Sequence, residues 1–516
     1  MARQFRPTGL KKGAFLNWIG LAINFSVAFV VTPIVIRTLG SSGFGMWALI
    51  QSFSGYYGLV NLGLGSALQR FITRDLAKQE NRSLQETVGT AITFFLSTGL
   101  LVLLAAAVLS TPAAHFFSVP EAEAAAFSTT LLLCAFAVVA DFFSALAGTL
   151  FTAREQFTLS STLGISRQLV QSMGVLFVLG YSPSIKGLAL VVCAVSITAL
   201  LVNWGFARRL YPQLSLSWRG ASYARLKELL HFGTSTVLLT VSNIVRLRIG
   251  NVIIAKTVGL SSVATFSVAA NLVVNMNSIM ASSLNVLNPR LTRLHTQENM
   301  EELKRLYRSA LFVSSTMACG MGLMIMVFGE RFILLWVGEE FLPAVPILHV
   351  LTLAYVVAHA QAPAWNVMFA LAKHHLMAKV AVAEAVVILG LGLWLSSTHG
   401  ALGFAWATAA AMLVTKVFIQ PPYAAKLGGL RVIDYLVPMA IPFLISTLIW
   451  GTTYVLHLSA TLRASGLLFA AATAGTIGFC YLFLVWLFGR RRSYAPAFVA
   501  KLFGKKQRAA ESPSFH

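Results

Sequence analysis

Apolar stretches of roughly twenty residues, the length that spans a bilayer core as a helix, recur along almost all of this 516-residue chain. Short polar connections separate them. None alternates apolar and polar positions as a membrane β-strand does. The pattern predicts an all-α polytopic membrane protein with fourteen transmembrane helices, near 15–36, 44–69, 87–110, 125–150, 163–181, 185–207, 232–255, 264–288, 309–329, 343–370, 377–397, 400–420, 434–457 and 465–489. The segments 44–69 and 343–370 contain Gly or Pro and read as bent or tilted. Pro33, Pro363, Pro438 and Pro442 mark expected kinks, since proline removes a helix hydrogen bond.

Composition agrees. The chain is 57% hydrophobic and 11% charged, with a mean hydropathy of +0.76, whereas a soluble domain carries about 25% charged residues. The net charge of +22 suggests a polyanionic partner until its distribution is read. One side of the predicted membrane holds the N-terminal Arg3, Arg6, Lys11 and Lys12, then clusters at 70–82, 154–167, 208–227, 290–308, 373–379 and 416–431, and finally the basic tail. The other side holds only Arg37, Lys186, Lys256, Arg331 and Arg463. Basic residues concentrate on the cytoplasmic side, so both termini are expected there. The surplus charge then fixes topology and meets anionic membrane lipids; no soluble domain presents a basic face to nucleic acid. Cys134, Cys193, Cys319 and Cys480 all fall in apolar spans and read as small core residues. The first apolar run is long enough to span, so it reads as a helix rather than a cleaved signal.

The longest cytoplasmic connection, 208–231, carries Trp218, Leu226, Leu229 and Leu230 against Arg219, Arg225 and Lys227, the pattern of a short interfacial amphipathic helix. It divides the chain into an N-terminal lobe of six helices (1–207) and a C-terminal lobe of six (232–420). Two additional helices occupy 434–489, and a basic cytoplasmic tail covers 490–516. An internal echo supports a duplication. Shifting the chain by 219 positions sets 34-IVIRTLG-40 beside 253-IIAKTVG-259, with Arg37 facing Lys256 and Asn24 facing Asn243. An even number of helices between copies makes them parallel, which predicts two parallel-repeat lobes around a central cavity.

Arg246 and Arg248 break the otherwise uncharged membrane interior. A mid-bilayer charge costs about 2.5–3.5 kcal/mol on insertion scales and needs an aqueous path, an ionic partner or a charged cargo. In the 219-residue register they fall opposite Val27 and Phe29, so they are an asymmetric addition to the duplicated frame. Two residues apart, they point about 200° apart on an ideal helix, so both reach one narrow cavity only if the helix bends. Asp141 and Glu384 are the acids set deepest in apolar runs, with His359 a third titrating group; structural pairing and ion coupling both fit them.

The segment 31-VTPIVIRTLGSSGFGMWALIQSFSGYYGLVNLGLGSALQRFITRDLAK carries Pro33, Arg37-Thr38-Leu39-Gly40, Phe44-Gly45 and Asn61-Leu62-Gly63-Leu64-Gly65 before a basic helix end. It resembles the opening two helices of the bacterial polysaccharide (O-antigen type) flippases of the multidrug/oligosaccharidyl-lipid/polysaccharide exporter superfamily. The segment 285-NVLNPRLTRLHTQ resembles the end of that family's eighth helix. The resemblance implies a transporter, not an enzyme, that flips a lipid-linked oligosaccharide, typically carried on undecaprenyl pyrophosphate, by alternating access. Its partners would include polysaccharide polymerase or ligase machinery.

On that reading Arg246, Arg248, Lys256, Arg37 and Asn243 are the candidate substrate-binding residues, because guanidinium groups bind phosphate bidentately. For Arg37 and Lys256 the simpler role is a helix C-terminal charge. Removing Arg246 or Arg248 is expected to abolish export with protein level unchanged. Asp141, Glu384 and His359 remain the ion-coupling candidates. No GxxxxGK[ST], HExxH or CxxC occurs, so no cofactor or metal is expected. Two alternatives stay open: a cation-coupled multidrug exporter of the same superfamily, whose cargo would favour acids in the cavity, and a membrane glycan polymerase or ligase, which would need a larger outer loop.

Overall fold

The computed structural model describes residues 10–57, 64–212, 220–284, 287–371, 373, 375–456 and 466–491. Every regular element among them is helical. In chain order these are α1 (Leu10–Tyr57), α2 (Leu64–Ala77), α3 (Asn81–Phe116), α4 (Glu121–Ala153), α5 (Phe157–Tyr181), α6 (Ile185–Leu210), α7 (Tyr223–Thr257) and α8 (Leu260–Leu284). Then follow α9 (Leu287–Thr296), α10 (Met300–Trp336), a 3-10 turn (Glu339–Phe341), α11 (Ala344–Ala360), α12 (Ala362–Ala370) and α13 (His375–Val414). A π-helical turn (Thr415–Ile419), α14 (Gln420–Leu427), α15 (Val432–Val455) and α16 (Leu467–Arg491) complete the described chain. The run Asn61-Leu62-Gly63, residues 285–286, Trp218, Arg219 and the tail after Arg491 lie outside the described residues.

Eleven helices among the described residues are long and apolar enough to cross a membrane, against the fourteen spans expected. Two of the eleven each cover a pair of predicted spans. The helix α1 breaks at Gly40 (φ 70°, ψ 174°) and α13 at Gly400 (φ 63°, ψ −148°). Glycine enters the left-handed region without steric cost, so the chain redirects at a single residue and no loop is needed. The break in α1 falls at Gly40 and not at Pro33, which sits inside helical backbone. Pro363 likewise opens α12 instead of kinking a longer helix, as suits a residue with no N–H to give. The helix α7, not among the eleven, runs unbroken for 35 residues. The expected interfacial helix is therefore, from Tyr223 on, the first turns of α7. Only Gly233 stands at the junction, and one glycine costs about 1 kcal/mol, too little to end a helix.

The chain forms two compact units. The first comprises 1–270, 335–347 and 378–408; the second comprises 271–334, 348–377 and 409–516. In the first, α4 is the central element, packed on α3 and α6. Phe95, Phe142, Leu146, Leu150 and Phe151 are buried there. Side chains pin α6 to α4: the Tyr211 hydroxyl donates to the Leu150 carbonyl at 2.8 Å, the Trp204 indole to the Phe143 carbonyl at 3.1 Å, and the Asn203 amide to Ser144 at 2.6 Å. Large apolar side chains such as Leu101, Val108, Met173 and Phe177 are exposed, as a lipid-facing surface requires. Cys134, Cys193 and Cys319 are buried as expected, whereas Cys480 is exposed.

In the second unit, Met276, Met280, Cys319, Leu323 and Tyr481 form the core. The π turn after α13 widens the helix and shifts its hydrogen-bond register. The Lys416 carbonyl there accepts from the Gln361 amide at 2.8 Å, and the Gln361 side-chain oxygen accepts from the buried Tyr435 hydroxyl at 2.9 Å.

One turn, which also ends α3 at Ser118 and α4 at Glu155, occupies both positions paired by the 219-residue offset. Gln79 (φ 57°) follows α2 and Glu298 (φ 53°) follows α9, and both are residues that rarely adopt positive φ. The Gln79 N–H donates to Leu76 and that of Glu80 to Asp75; the Glu298 N–H donates to His295 and that of Asn299 to Leu294. The next helices then start at Asn81 and Met300. Thr38 and Thr257, paired by the same offset, each return a hydroxyl to the carbonyl four residues earlier, at 2.8 and 2.9 Å.

Candidate functional site

The polar residues of α7 meet α13 on one face and α1 and α8 on another, within the first unit. Arg246 Nη1 lies 3.2 Å from Glu384 Oε1 of α13, and the two side chains are 18% and 3% exposed. Eleven residues on, which is three turns and the same helix face, the Thr257 hydroxyl meets Ser396 of α13 at 2.7 Å. Arg248 turns the other way. It is exposed, and its Nε stands 3.3 Å from where a Gly55 Cβ on α1 would lie. One turn further, the Asn251 amide donates to the Ser52 hydroxyl at 2.9 Å and to the Ala48 carbonyl at 3.3 Å, both on α1. Its oxygen accepts from Ser267 of α8 at 3.1 Å. The roughly 200° between Arg246 and Arg248 thus resolves into one arginine half-buried against an acid and one exposed beside a glycine of α1.

Glu384 needs this partner. A nearly inaccessible carboxylate is expensive unless it is paired, and α13 is otherwise apolar around it. The same logic holds at Asp141, whose carboxylate meets Arg167 of α5 at 2.8 Å while the Arg167 guanidinium also donates to Ser196 of α6 at 2.9 Å. Arg167, assigned from the sequence to the cytoplasmic side, stands ten residues into α5 and pairs there with Asp141 and Ser196. Both acids singled out from the sequence are therefore joined to arginines.

The remaining candidates lie apart from this group. Lys256 is exposed, donates to the Phe116 carbonyl at 3.1 Å and covers the Phe116 ring at 4.3 Å. Arg37 is exposed near the break of α1. The side chain of Asn243 falls outside those described. His359 belongs to the second unit, where it is 7% exposed, packs near Tyr355 with ring centroids 5.7 Å apart, and offers its backbone carbonyl to Ser314 at 2.6 Å. Sequence reasoning missed Asn251, which is marked only by being an amide inside an apolar run. It also placed Lys416 among the loop charges. Lys416 is 6% exposed, with its ammonium 5.9 Å from the Trp365 ring; its apolar neighbours in 412-MLVTKVFI were the available signal.

The opening motif acquires a mechanical reading. Gly40 provides the break, Phe44 is buried, and Gly45 comes so close to α8 that a Cβ would collide with the Leu260 carbonyl. Residues 10–295, more than half of the chain, match the family described as "Polysaccharide biosynthesis protein". The chain belongs to that family. Among its relatives, the "Uncharacterized membrane protein EpsK" of Bacillus subtilis (strain 168) is 20% identical over 90% of this chain and 92% of its own length. The "Putative O-antigen transporter" of Shigella flexneri is 22% identical over 79% of this chain and 96% of its own. Among solved structures, the lipid II flippase MurJ in an inward closed conformation superposes with a TM-score of 0.73 at 12% identity, covering 93% of this chain and 99% of that one. An inward-facing multidrug resistance MATE transporter of the MOP superfamily gives 0.67 at 13% identity, covering 79% and 99%. At these identities the likeness establishes the fold, which is the superfamily fold expected from the motifs. The member of the polysaccharide biosynthesis family is thus a multi-pass membrane protein, and the solved proteins sharing its fold are transporters and a flippase, not enzymes.

Proposed function

We propose that this protein flips a lipid-pyrophosphate-linked oligosaccharide from the cytoplasmic to the outer leaflet of a bacterial cytoplasmic membrane, by alternating access, for surface polysaccharide assembly. The observation that carries the reading is Arg248, an exposed guanidinium on a membrane-length helix, in a family of polysaccharide biosynthesis. A pyrophosphate needs cationic donors along its route. The Shigella flexneri relative, named as an O-antigen transporter, and the lipid II flippase fold support the same cargo class.

Counting both legs of α1 and α13, and α7, brings the crossings to fourteen, with both termini cytoplasmic and anionic lipids against the basic loops. The sequence echo of 34–40 at 253–259 supports two parallel lobes of six helices, 1–207 and 232–420, followed by two further helices. Cargo contact belongs to Arg248 first, with Arg246 reachable only if Glu384 releases it. Lys256, Arg37 and Asn243 are secondary contacts. A multidrug exporter of cationic compounds fits less well, because Asp141 and Glu384, the deep acids it would use, already face arginines.

The test is export in the native cell. Arg248→Gln should lower transfer of the lipid-linked glycan at least tenfold while the amount and melting temperature of the purified protein stay at wild-type values. Wild-type export by that variant would remove Arg248 from the route.

A further inference from the structure

A cavity of 540 Å³ opens in the first unit at the ends of several helices, a volume in the usual range for a small-molecule site. It gathers four turns of the chain. Ser41 follows the break at Gly40, Ser261 and Ser262 open α8 just after Gly259 (φ 121°), Glu340 comes from the 3-10 turn, and Gly400 is the break of α13. All four turns lie where the charge distribution places the outer side. That assignment rests on the topology given under the proposed function.

The chemistry of the lining is specific. The hydroxyls of Ser41, Ser261 and Ser262 and the carboxylate of Glu340 make no hydrogen bond or ion pair with any described residue. Each therefore has its capacity available: a hydroxyl donates once and accepts twice, and a carboxylate only accepts. Apolar surface from Val258, Pro346 and Ile347 lies beside them. No lysine or arginine lines the cavity, so nothing there neutralises a phosphate, and Glu340 repels one.

We infer that this outer cavity binds a sugar residue of the glycan. A pyranose offers hydroxyl donors for Glu340, groups that both donate and accept for the serines, and C–H faces for the apolar wall. The anionic end of the cargo and the glycan end are thus handled by different residues, Arg248 for the first and the outer turns for the second. The cavity discriminates among glycans by sugar hydroxyl pattern as they emerge.

The experiment uses the full-length protein in lipid nanodiscs and saturation-transfer NMR with methyl glycosides of hexoses, 6-deoxyhexoses and N-acetylhexosamines. At least one glycoside should receive saturation, with the signal reduced at least tenfold by Glu340→Ala and by Ser261→Ala/Ser262→Ala, and unchanged by added inorganic pyrophosphate. These residues are at the surface, and a melting temperature equal to wild type checks that the variants fold. Absence of transfer to every glycoside, survival of the signal in both variants, or loss of it to pyrophosphate would each overturn the inference. Glycoside binding is read without transport, so it stands or falls separately from the flippase reading, which glycan export in cells decides.

Discussion

At the scale of single residues, pairing decides what the membrane charges do. The sequence marks Arg246, Arg248, Asp141 and Glu384 as costly and therefore meaningful, but it cannot join Arg246 to Glu384 or Arg167 to Asp141, because those contacts are made between helices far apart in the chain. The pairing changes the expected effect of mutation. Arg246→Ala removes the arginine that faces a carboxylate only 3% exposed, and breaking a buried pair costs about 3–5 kcal/mol; the variant should melt earlier and be depleted in membranes, instead of staying at normal level. The double variant Arg246→Leu/Glu384→Leu removes both charges and should recover much of that loss. A thermal melt of the three proteins checks this, and equal melting of single and double variants would refute it. Gly45 makes a second residue-scale case. Its motif was readable, but its reason was not, since the Leu260 carbonyl it must clear belongs to another helix. Gly45→Ala should lower the folded yield on size-exclusion chromatography, whereas Gly65→Ala, where a Cβ meets nothing within 4 Å, should not.

At the scale of elements, hydropathy places the helices well and their joints poorly. Predicted spans 15–36 and 44–69 read as separate because a polar run, RTLGSSGFG, lies between them. The backbone crosses it with one left-handed glycine and resumes helical geometry. Amphipathic 223–231 joins α7 for the converse reason, that nothing in it stops a helix. The π turn at 415–419 is held from the α11–α12 junction and from α15 by Gln361 and Tyr435, contacts that hydropathy does not reveal. Gln361→Leu removes the donor to the Lys416 carbonyl and an acceptor of the Tyr435 hydroxyl, at about 1–3 kcal/mol for each buried bond lost. Amide hydrogen exchange across 412–420 should accelerate in that variant, and unchanged protection would show that the turn does not depend on Gln361.

At the scale of the whole molecule, the family and the superfamily fold were readable from a few dozen residues of α1 and α2. Those residues carry the helix break and the close packing that the fold demands. The proposed cargo rests on charge placement rather than on a shape-determining motif. The 219-residue echo is faint in side chains, and the left-handed turn it pairs at Gln79 and Glu298 stands also at Ser118 and Glu155, a general way of ending a helix. The central claim is movement of a lipid-linked glycan between leaflets, and it is tested most directly in the native cell. After deletion of this protein, an impermeant glycan-cleaving enzyme is applied to intact spheroplasts and to inverted vesicles. The account predicts lipid-linked glycan accumulating on the cytoplasmic leaflet, cleaved only in inverted vesicles, with wild-type protein restoring outer-leaflet cleavage and Arg248→Gln failing to do so. Unchanged outer-leaflet glycan in the deletion strain would contradict it.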